Sequence, residues 1–508
     1  MNVKTASSTA IQPTALVLGL GASGLAMARW LDRLGWRVRV ADTRLAPPQL
    51  AQLRDELPNA EFIGGDCSAQ LIGEDIGLVA TSPGLSPHEG LSGNTAAIRA
   101  AAQARGITVV GELELFARAL RELDVLYAYR PRVLAITGTN GKTTVTSLTS
   151  KLLEAAGWRV ELAGNIGPCL LDRLRLCESG QCLPDAWVLE LSSFQLHDAL
   201  TFEPDTAVVL NITEDHLDWH ADMAEYIADK CKIFGSPTGK TIAIINRDEG
   251  DVPFVTHIRN KRRISFGLNE PQSHLDFGLQ MAADMPWLVQ CISALGDTPP
   301  KKNQDPELSL RRLMPVESLH IRGRHNISNA LAALALSVAV DAPLGASLHA
   351  LAAYRGEPHR VQSIGSAAGV AYIDDSKGTN VGATVAAITS LGADLAAGSK
   401  LVMILGGDGK GQDFSPLSQP LASYARAVAL IGKDAAAIAA VLPVGIAVQN
   451  CNDMAQAVAW CAAQAQTGDA VLLSPACASL DMYQSYAHRA ADFVQAAQTL
   501  PTFQGASL

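Results

Sequence analysis

Aromatic residues make up 5% of this 508-residue sequence and charged residues 18%, and the net charge is −10 with no long basic run. Binding to a nucleic-acid backbone needs clustered Lys and Arg, so nucleic acid is excluded as a partner. A small phosphate-bearing ligand is not excluded, because a loop can be electropositive within an acidic chain. No C-x-x-C occurs among the nine cysteines, an odd number. That pattern fits free thiols in a reducing compartment better than disulfides or a zinc site. The most apolar segment, ALAALALSVAV at 330–340, is too short to span a bilayer. The apolar run from Ala15 is broken by glycines and does not read as an export signal. The expectation is a soluble, cytoplasmic protein with no membrane partner.

Small apolar residues are plentiful. The sequence has 42 glycines and 48% hydrophobic residues, a balance that suits α/β units with tight strand-to-helix turns. The length suggests about two to four domains. Residues 14–44 read strand, glycine turn, helix, strand, with Leu25, Ala28, Leu31 and Leu34 on one helix face and Asp42 ending the second strand. Segment 117–132 reads as a linker. A strand at 133–136 then feeds a second glycine loop and a helix with Val145, Leu148, Leu152 and Leu153 on one face. Further strands are expected at 159–162, 186–190, 206–210 and 240–245. Region 269–317 is less regular and contains DTPPKKNQDPE, an exposed loop by composition. The strand–helix pattern restarts after Gly356. The expected architecture is therefore three α/β domains: a Rossmann-like unit at 1–110, a P-loop ATPase-like unit with a mostly parallel sheet at 111–356, and a second Rossmann-like unit at 357–508.

Two glycine loops carry the chemistry. Gly19, Gly21 and Gly24 form G-x-G-x-x-G between a strand and a helix, the setting of a nucleotide diphosphate at a helix N-terminus. Alone, this would suggest a nicotinamide-dependent dehydrogenase. The second loop, ITGTNGKTTVTS at 136–147, resembles a shortened phosphate loop. Gly138 and Gly141 free the backbone to turn its N–H groups toward phosphate, Lys142 can meet the β/γ-phosphates, and Thr143 can ligate Mg²⁺. Glu190, and Glu214, Asp215 and His216, follow expected strands and offer hard or imidazole ligands for that ion. Lys230 and Lys232, in an expected helix, would by spacing alone be surface lysines.

These blocks together carry a resemblance. AITGTNGKTTVT, GNIG, LELSSFQL, NITEDHLD, GRHNISNALAALA, PHRVQ, DDSKGTN, LGGDGKGQDF and LLSPACASLDMY occur in this order along the chain, and the sequence resembles the Mur ligase family over nearly its whole length. The family's bacterial members use ATP to add amino acids to the UDP-linked peptidoglycan precursor. The dinucleotide-like N-terminal unit, ADTR at 41–44 and SPACASLDMY resemble the member that adds D-glutamate to UDP-N-acetylmuramoyl-L-alanine.

The resemblance implies the following roles. Gly138, Thr139, Asn140, Gly141, Lys142, Thr143 and Thr144 would bind ATP, with Asn326 and Asn329 toward the adenine and Arg360, Asp375 and Lys377 toward ribose and phosphates. Gly21, Ala22, Ser23, Asp42, Thr43, Arg44 and Gly84 would hold the UDP group, and Asn165 and His216 the muramoyl-alanine end. Thr379, Lys410, Ser479 and Tyr486 would bind D-glutamate. Thr143, Glu190, His216 and Lys230, the last as a carbamate, would hold two Mg²⁺ ions. Lys142, His216, Lys230 and Lys377 would be catalytic, and the enzyme would be a monomer. Tyr486 stands where many relatives carry phenylalanine, and 117–132 and 269–317 look longer than in relatives. A folylpolyglutamate synthase-like ligase shares the ATP core but explains neither the first glycine loop nor SPACASLDMY. A non-catalytic UDP-sugar sensor would not need Lys142, Glu190, His216, Lys230 and Lys377 together.

Overall fold

The computed structural model describes residues 13–506 apart from 92, 251–257, 259–261, 294–307 and 322. The DTPPKKNQDPE segment, 297–307, lies outside the described residues. Three sheets of five, nine and seven strands follow one another along the chain.

All five strands of the N-terminal sheet are parallel, in the spatial order Glu61–Gly64, Arg37–Asp42, Thr14–Leu18, Ile76–Thr81, Thr108–Val110. The order reverses between Thr14–Leu18 and Ile76–Thr81, which opens a crevice at their carboxyl ends. The first glycine loop lies there beside the loop carrying Gly84, and Ser82 Oγ donates to Gly19 O at 2.9 Å. A Cβ on Gly24 would sit 1.9 Å from Gly19 O, so a glycine there lets the helix Ala22–Arg33 start against its own loop. Leu25, Ala28 and Leu31 of that helix are buried, whereas Leu34 lies beyond its end and is 46% exposed.

In the central sheet, Arg132–Thr137 sits between Ala186–Glu190 and Thr206–Val209, with all three parallel. Ala186–Glu190 and Thr206–Val209 are buried at every position, and a strand covered on both faces reads as a continuous apolar run rather than an alternating one. Val145, Leu148, Leu152 and Leu153 of the following helix, Lys142–Ala155, are fully buried.

Two expectations need correction. Segment 117–132 is no linker, because most of it belongs to the 16-residue helix Glu112–Tyr127. Leu113, Phe116, Ala117 and Leu123 bury one face of it. The alternating GELELF at its start hides the helical period. Region 269–317 holds three strands, Phe277–Ala282, Met285–Ser293 and Leu308–Pro315, the first joining the central sheet parallel to Arg263–Phe266 and the next two added antiparallel. The first hairpin turns on Ala283 and Asp284, both with positive φ (50° and 61°). Such a turn normally advertises itself by Asn-Gly or Asp-Gly, which Ala-Asp does not.

In the C-terminal sheet, Leu401–Gly406, Ala470–Leu473 and Val370–Asp374 are adjacent and parallel. The loops leaving their carboxyl ends carry Lys410, Ser479, and Lys377 with Thr379.

Side chains tie the N-terminal unit to the central one. Arg99 clasps Asp198 with Nη1 at 2.8 Å and Nη2 at 2.7 Å, Thr81 Oγ1 donates to Asp198 Oδ2 at 2.7 Å, and Ser86 Oγ donates to Trp219 O at 2.8 Å. Asp198→Ala strands the Arg99 guanidinium at this contact and is expected to cost about 3 kcal/mol. Chemical unfolding should show the N-terminal unit releasing earlier, while the C-terminal unit keeps its midpoint.

Candidate active site

The carboxyl ends of the central strands face those of the C-terminal unit across a cleft of about 770 Å³. From the central unit, its lining includes Thr139, Asn140, Gly141, Lys142, Thr143, Asn165, Glu190, Asp215, His216 and Lys230. Arg360, Lys377, Thr379, Asn380 and Lys410 come from the other side.

The second glycine loop is held open from below. Asn140 N donates to Asn211 Oδ1 at 2.8 Å, Asn211 Nδ2 donates to Asn140 O at 3.1 Å, and Thr139 Oγ1 lies 2.9 Å from Tyr226 OH. Gly141 takes φ +83°, and a Cβ there would sit 2.7 Å from Asn329 Oδ1, so close approach and left-handed backbone both demand glycine. Lys142 Nζ curls onto its own loop and donates to Gly138 O and Thr139 O, each at 2.8 Å.

The cleft is crowded with cations. Burial, and beyond it the Arg360 charge, hold the Lys142 ammonium below its ordinary value, against the opposing pull of Glu190. Burial and then Lys142 push Lys230 well below its own. Burial, Arg360 and Lys142 lower Lys377, while Glu190 opposes. Lys230 is 2% exposed. Its Nζ meets Gly138 O at 3.0 Å and Thr137 Oγ1 at 3.5 Å and lies 4.6 Å from the centre of the Tyr226 ring.

The anionic side is Glu190, which is 1% exposed. Its Oε1 accepts from Asn165 Nδ2 at 2.7 Å, whereas the buried Oε2 has no hydrogen-bond partner. An orphaned carboxylate oxygen among cationic groups fits a bound metal ion. His216 lines the same cleft with φ +59° and half-exposed side chain.

The two sides already touch. Arg360 Nη2 donates to Thr143 Oγ1 at 2.7 Å, and Asn380 Nδ2 approaches Asn140 Oδ1 at 3.4 Å and Asp215 Oδ2 at 3.3 Å. The Thr143 hydroxyl thus engages a cation from the other unit. Sequence reading did not single out Asn211, Tyr226 or Asn380. Their partners lie 71 to 240 residues away, and no local pattern signals such pairings.

Other expected site residues lie outside the lining of this cleft. Asn326 and Asn329 are buried against each other, Asn329 Nδ2 donating to Asn326 Oδ1 at 3.2 Å. Asp375 is buried, accepts from Ser474 Oγ at 2.6 Å and is pushed up to about 7 by its burial. Thr144 is buried, and so is Ser479, at 3% exposure, although its neighbour Ala478 lines the cleft. The Tyr486 ring lies 4.0 Å from Lys377 Nζ and fixes the direction of that ammonium.

Gly21, Asp42, Thr43, Arg44 and Gly84 belong to the N-terminal sheet and its loops, and Ala22 and Ser23 open the helix Ala22–Arg33. Gly21 and Gly84 have open space where a side chain would be. Asp42 accepts from Leu20 N at 2.7 Å and takes both Nε and Nη2 of Arg44 at 2.8 and 2.7 Å. Ser23 Oγ turns inward instead, donating to the buried Glu112 Oε2 at 2.6 Å. Burial pushes Glu112 up to about 7.

Known proteins carry the same plan. The Mur ligase MurD-like N-terminal domain matches residues 13–111, the Mur ligase middle domain 136–337 and the Mur ligase glutamate ligase domain 359–477. The UDP-N-acetylmuramoylalanine–D-glutamate ligase of Albidiferax ferrireducens is 52% identical over 503 residues, covering 97% of both chains. The chain belongs to the Mur ligase family. The protein of the same description from Burkholderia thailandensis is 50% identical over 511 residues, 98% of this chain and 99% of its own. Among solved structures, the Mur ligase MurF of Thermotoga maritima in complex with ADP aligns with a TM-score of 0.56 at 16% identity, over 91% of this chain and 94% of its own. UDP-N-acetylmuramate–alanine ligase MurC of the same organism gives 0.53 at 17% identity, over 96% and 99%. At such identities these two structures speak for the three-domain Mur ligase fold.

Asp42 gives this ligase a pH signature. Burial raises its carboxyl, but the hydrogen bonds from Arg44 and Leu20 outweigh it and bring it from 3.8 to about 2. A depressed carboxyl contributes stability above its unfolded pKa, lost as pH falls through the folded one. Wild type should exceed Asp42→Asn by about 1–2 kcal/mol near neutrality, and the gap should close as pH falls from about 4 toward 2 in urea titrations.

Proposed function

We propose that this Mur ligase joins D-glutamate to the alanyl carboxyl of UDP-N-acetylmuramoyl-L-alanine at the expense of ATP, a step in peptidoglycan precursor synthesis. The observation that carries the reading is the cleft itself. A phosphate loop with Lys142 faces Arg360, Lys377, Thr379 and Lys410 of a second unit across a space large enough for ATP and an acyl acceptor. Identity above half with a D-glutamate ligase over nearly the full length supports the choice of acceptor.

A carboxylate is a poor electrophile and must be activated. Its oxygen attacks the γ-phosphorus of ATP, ADP leaves, and an acyl phosphate forms. The loop N–H groups and Lys142 stabilise the charge that spreads over the transferred group, with Arg360 and Lys377 completing the ring of cations. The D-glutamate amine, held by Thr379, Lys410 and the Ser479 loop, then attacks the acyl carbon. The tetrahedral adduct loses a proton and expels phosphate to leave the amide. Closure of Arg360 onto Thr143 and of Asn380 onto Asp215 keeps water from the acyl phosphate.

Thr143, Glu190, His216 and Lys230 are assigned to two Mg²⁺ ions, which when bound supply charge neutralisation to the phosphates. Lys230 enters this set as a carbamate. An ammonium would repel the cation, whereas its burial among other cations favours the neutral amine, which can add CO₂, lose a proton and become an anionic ligand. The crevice with Gly21, Asp42, Arg44 and Gly84 anchors the UDP group, Asn165 and His216 receive the muramoyl-alanine end, and Asn326 and Asn329 face the adenine. The units 1–110, 111–356 and 357–508 act respectively on the UDP precursor, ATP and the amino acid. The same reading carries with it a monomeric enzyme at work in the cytoplasm, where ATP and UDP-linked precursors are at hand.

Phosphate release should require ATP, Mg²⁺, UDP-N-acetylmuramoyl-L-alanine and D-glutamate together, and fall to background when any one is omitted. Equal turnover with L-glutamate or D-aspartate contradicts the assigned acceptor. Lys142→Ala should cost about 100-fold or more in kcat. Lys230→Ala should lose activity and regain part of it with added short carboxylates; full activity in this variant removes Lys230 from the mechanism.

A further inference from the structure

A second group of ligand-type side chains lies one ring away from the cleft. Phe194 lines the cleft, and its ring also meets those of Trp219 at 4.6 Å and His220 at 5.6 Å. Beyond them, His197 Nδ1 lies 2.7 Å from Asp229 Oδ2, and His220 Nδ1 lies 3.4 Å from that oxygen and 3.9 Å from Glu225 Oε2. Glu225 and Asp229 are one turn apart on the helix Met223–Cys231, which aims both carboxylates at the same space. One ligand atom each from His197, Glu225 and Asp229 falls within 4.8 Å of the others. His88 of the N-terminal unit closes the outer side with Nε2 2.6 Å from Glu225 Oε2, and Lys232 Nζ holds Asp229 Oδ1 at 2.8 Å.

His220 is the decisive member. Its side chain is fully buried, Nε2 is 2.9 Å from Ser193 Oγ, and Nδ1 has no hydrogen-bond partner. Nδ1 nevertheless points at two carboxylates. Nε2 and Ser193 Oγ share a hydrogen bond, and the tautomer with its proton on Nε2 would leave an Nδ1 lone pair for a cation seated between the ring and the two carboxylates. The outer hydrogen bond to Ser193 is what orients a metal-binding imidazole. Two imidazoles and two carboxylates suit zinc and its neighbours in the transition series better than magnesium, which prefers oxygen throughout.

We infer that His197, His220, Glu225 and Asp229 form a binding site for a divalent transition-metal ion of the zinc class, separate from the phosphoryl-transfer cleft. Through Glu225 the bound ion borders His88, so it also steadies the contact between the N-terminal and central units. The site goes beyond the ligase reading and stands or falls apart from it.

The test uses the full chain, dialysed against Co²⁺ in a large excess of Mg²⁺, with bound cobalt counted by mass spectrometry and its coordination read from visible absorption. The expected result is about one Co²⁺ per chain with the intense bands of four-coordinate cobalt, displaced by Zn²⁺. His197→Gln and His220→Gln should each weaken retention by about tenfold or more, whereas Glu190→Gln, in the cleft, should keep it. Circular dichroism checks that the variants fold. If the histidine variants do not fold, Glu225→Gln decides, because that carboxylate is 23% exposed and its amide is nearly isosteric. Failure to retain cobalt overturns the site, as does cobalt that survives the cluster variants but is lost in Glu190→Gln.

Discussion

Lys142, Lys230, Lys377 and Arg360 repel one another across one cleft, with Glu190 as the buried carboxylate that opposes Lys142 and Lys377. Beyond the effect of burial, Arg360 weakens the charged form of Lys142, Lys142 that of Lys230, and both Arg360 and Lys142 that of Lys377. A triphosphate reverses the balance, because each phosphate oxygen turns repulsion into attraction in a partly water-excluded space. The arrangement of the rest of the chain follows from the need to bring those cations together. Two come from the central unit, Lys142 at the start of the helix after the glycine loop and Lys230 from the helix Met223–Cys231, and two arrive from another unit through the loops at 360 and 377. A single domain with one sheet edge would not surround a triphosphate and an acyl acceptor in this way.

The connections between units serve the same end. Arg99 and Asp198 fasten the N-terminal unit to the short helix Ser193–His197 and the turn after it, so the crevice proposed for the UDP group keeps its bearing on the cleft. On the other side Arg360 meets Thr143, Asn380 meets Asp215 and Asn140, and His325 Nδ1 lies 2.8 Å from Ser390 Oγ. Such contacts can part for substrate entry and product release and re-form around an acyl phosphate.

Much of this was legible in the chain because parallel strands buried on both faces announce themselves. Ala186–Glu190 and Thr206–Val209 are apolar apart from Glu190 and Thr206 at their ends, and both glycine loops stand where a strand meets a helix. What stayed hidden obeys other rules. GELELF alternates like a strand yet opens the helix Glu112–Tyr127, because tertiary burial of Phe116 and Leu123 overrides a local period of two. The hairpin at Ala283 and Asp284 uses positive φ without the residues that signal it. Lys230 looked like a surface lysine by spacing, and only the family resemblance drew it into the site; its burial depends on packing against Gly138 and Tyr226. The histidines at 88, 197 and 220 are scattered in sequence and meet only in three dimensions.

The central claim is that these cations serve a phosphoryl transfer to carboxylate oxygen. It is tested most directly with UDP-N-acetylmuramoyl-L-alanine labelled with ¹⁸O in the alanyl carboxylate. The substrate is turned over with ATP and D-glutamate, and the products are read by mass spectrometry. The account predicts one ¹⁸O in the released inorganic phosphate, since the carboxylate oxygen that attacks phosphorus leaves with it. Unlabelled phosphate, or label found in AMP, would contradict it.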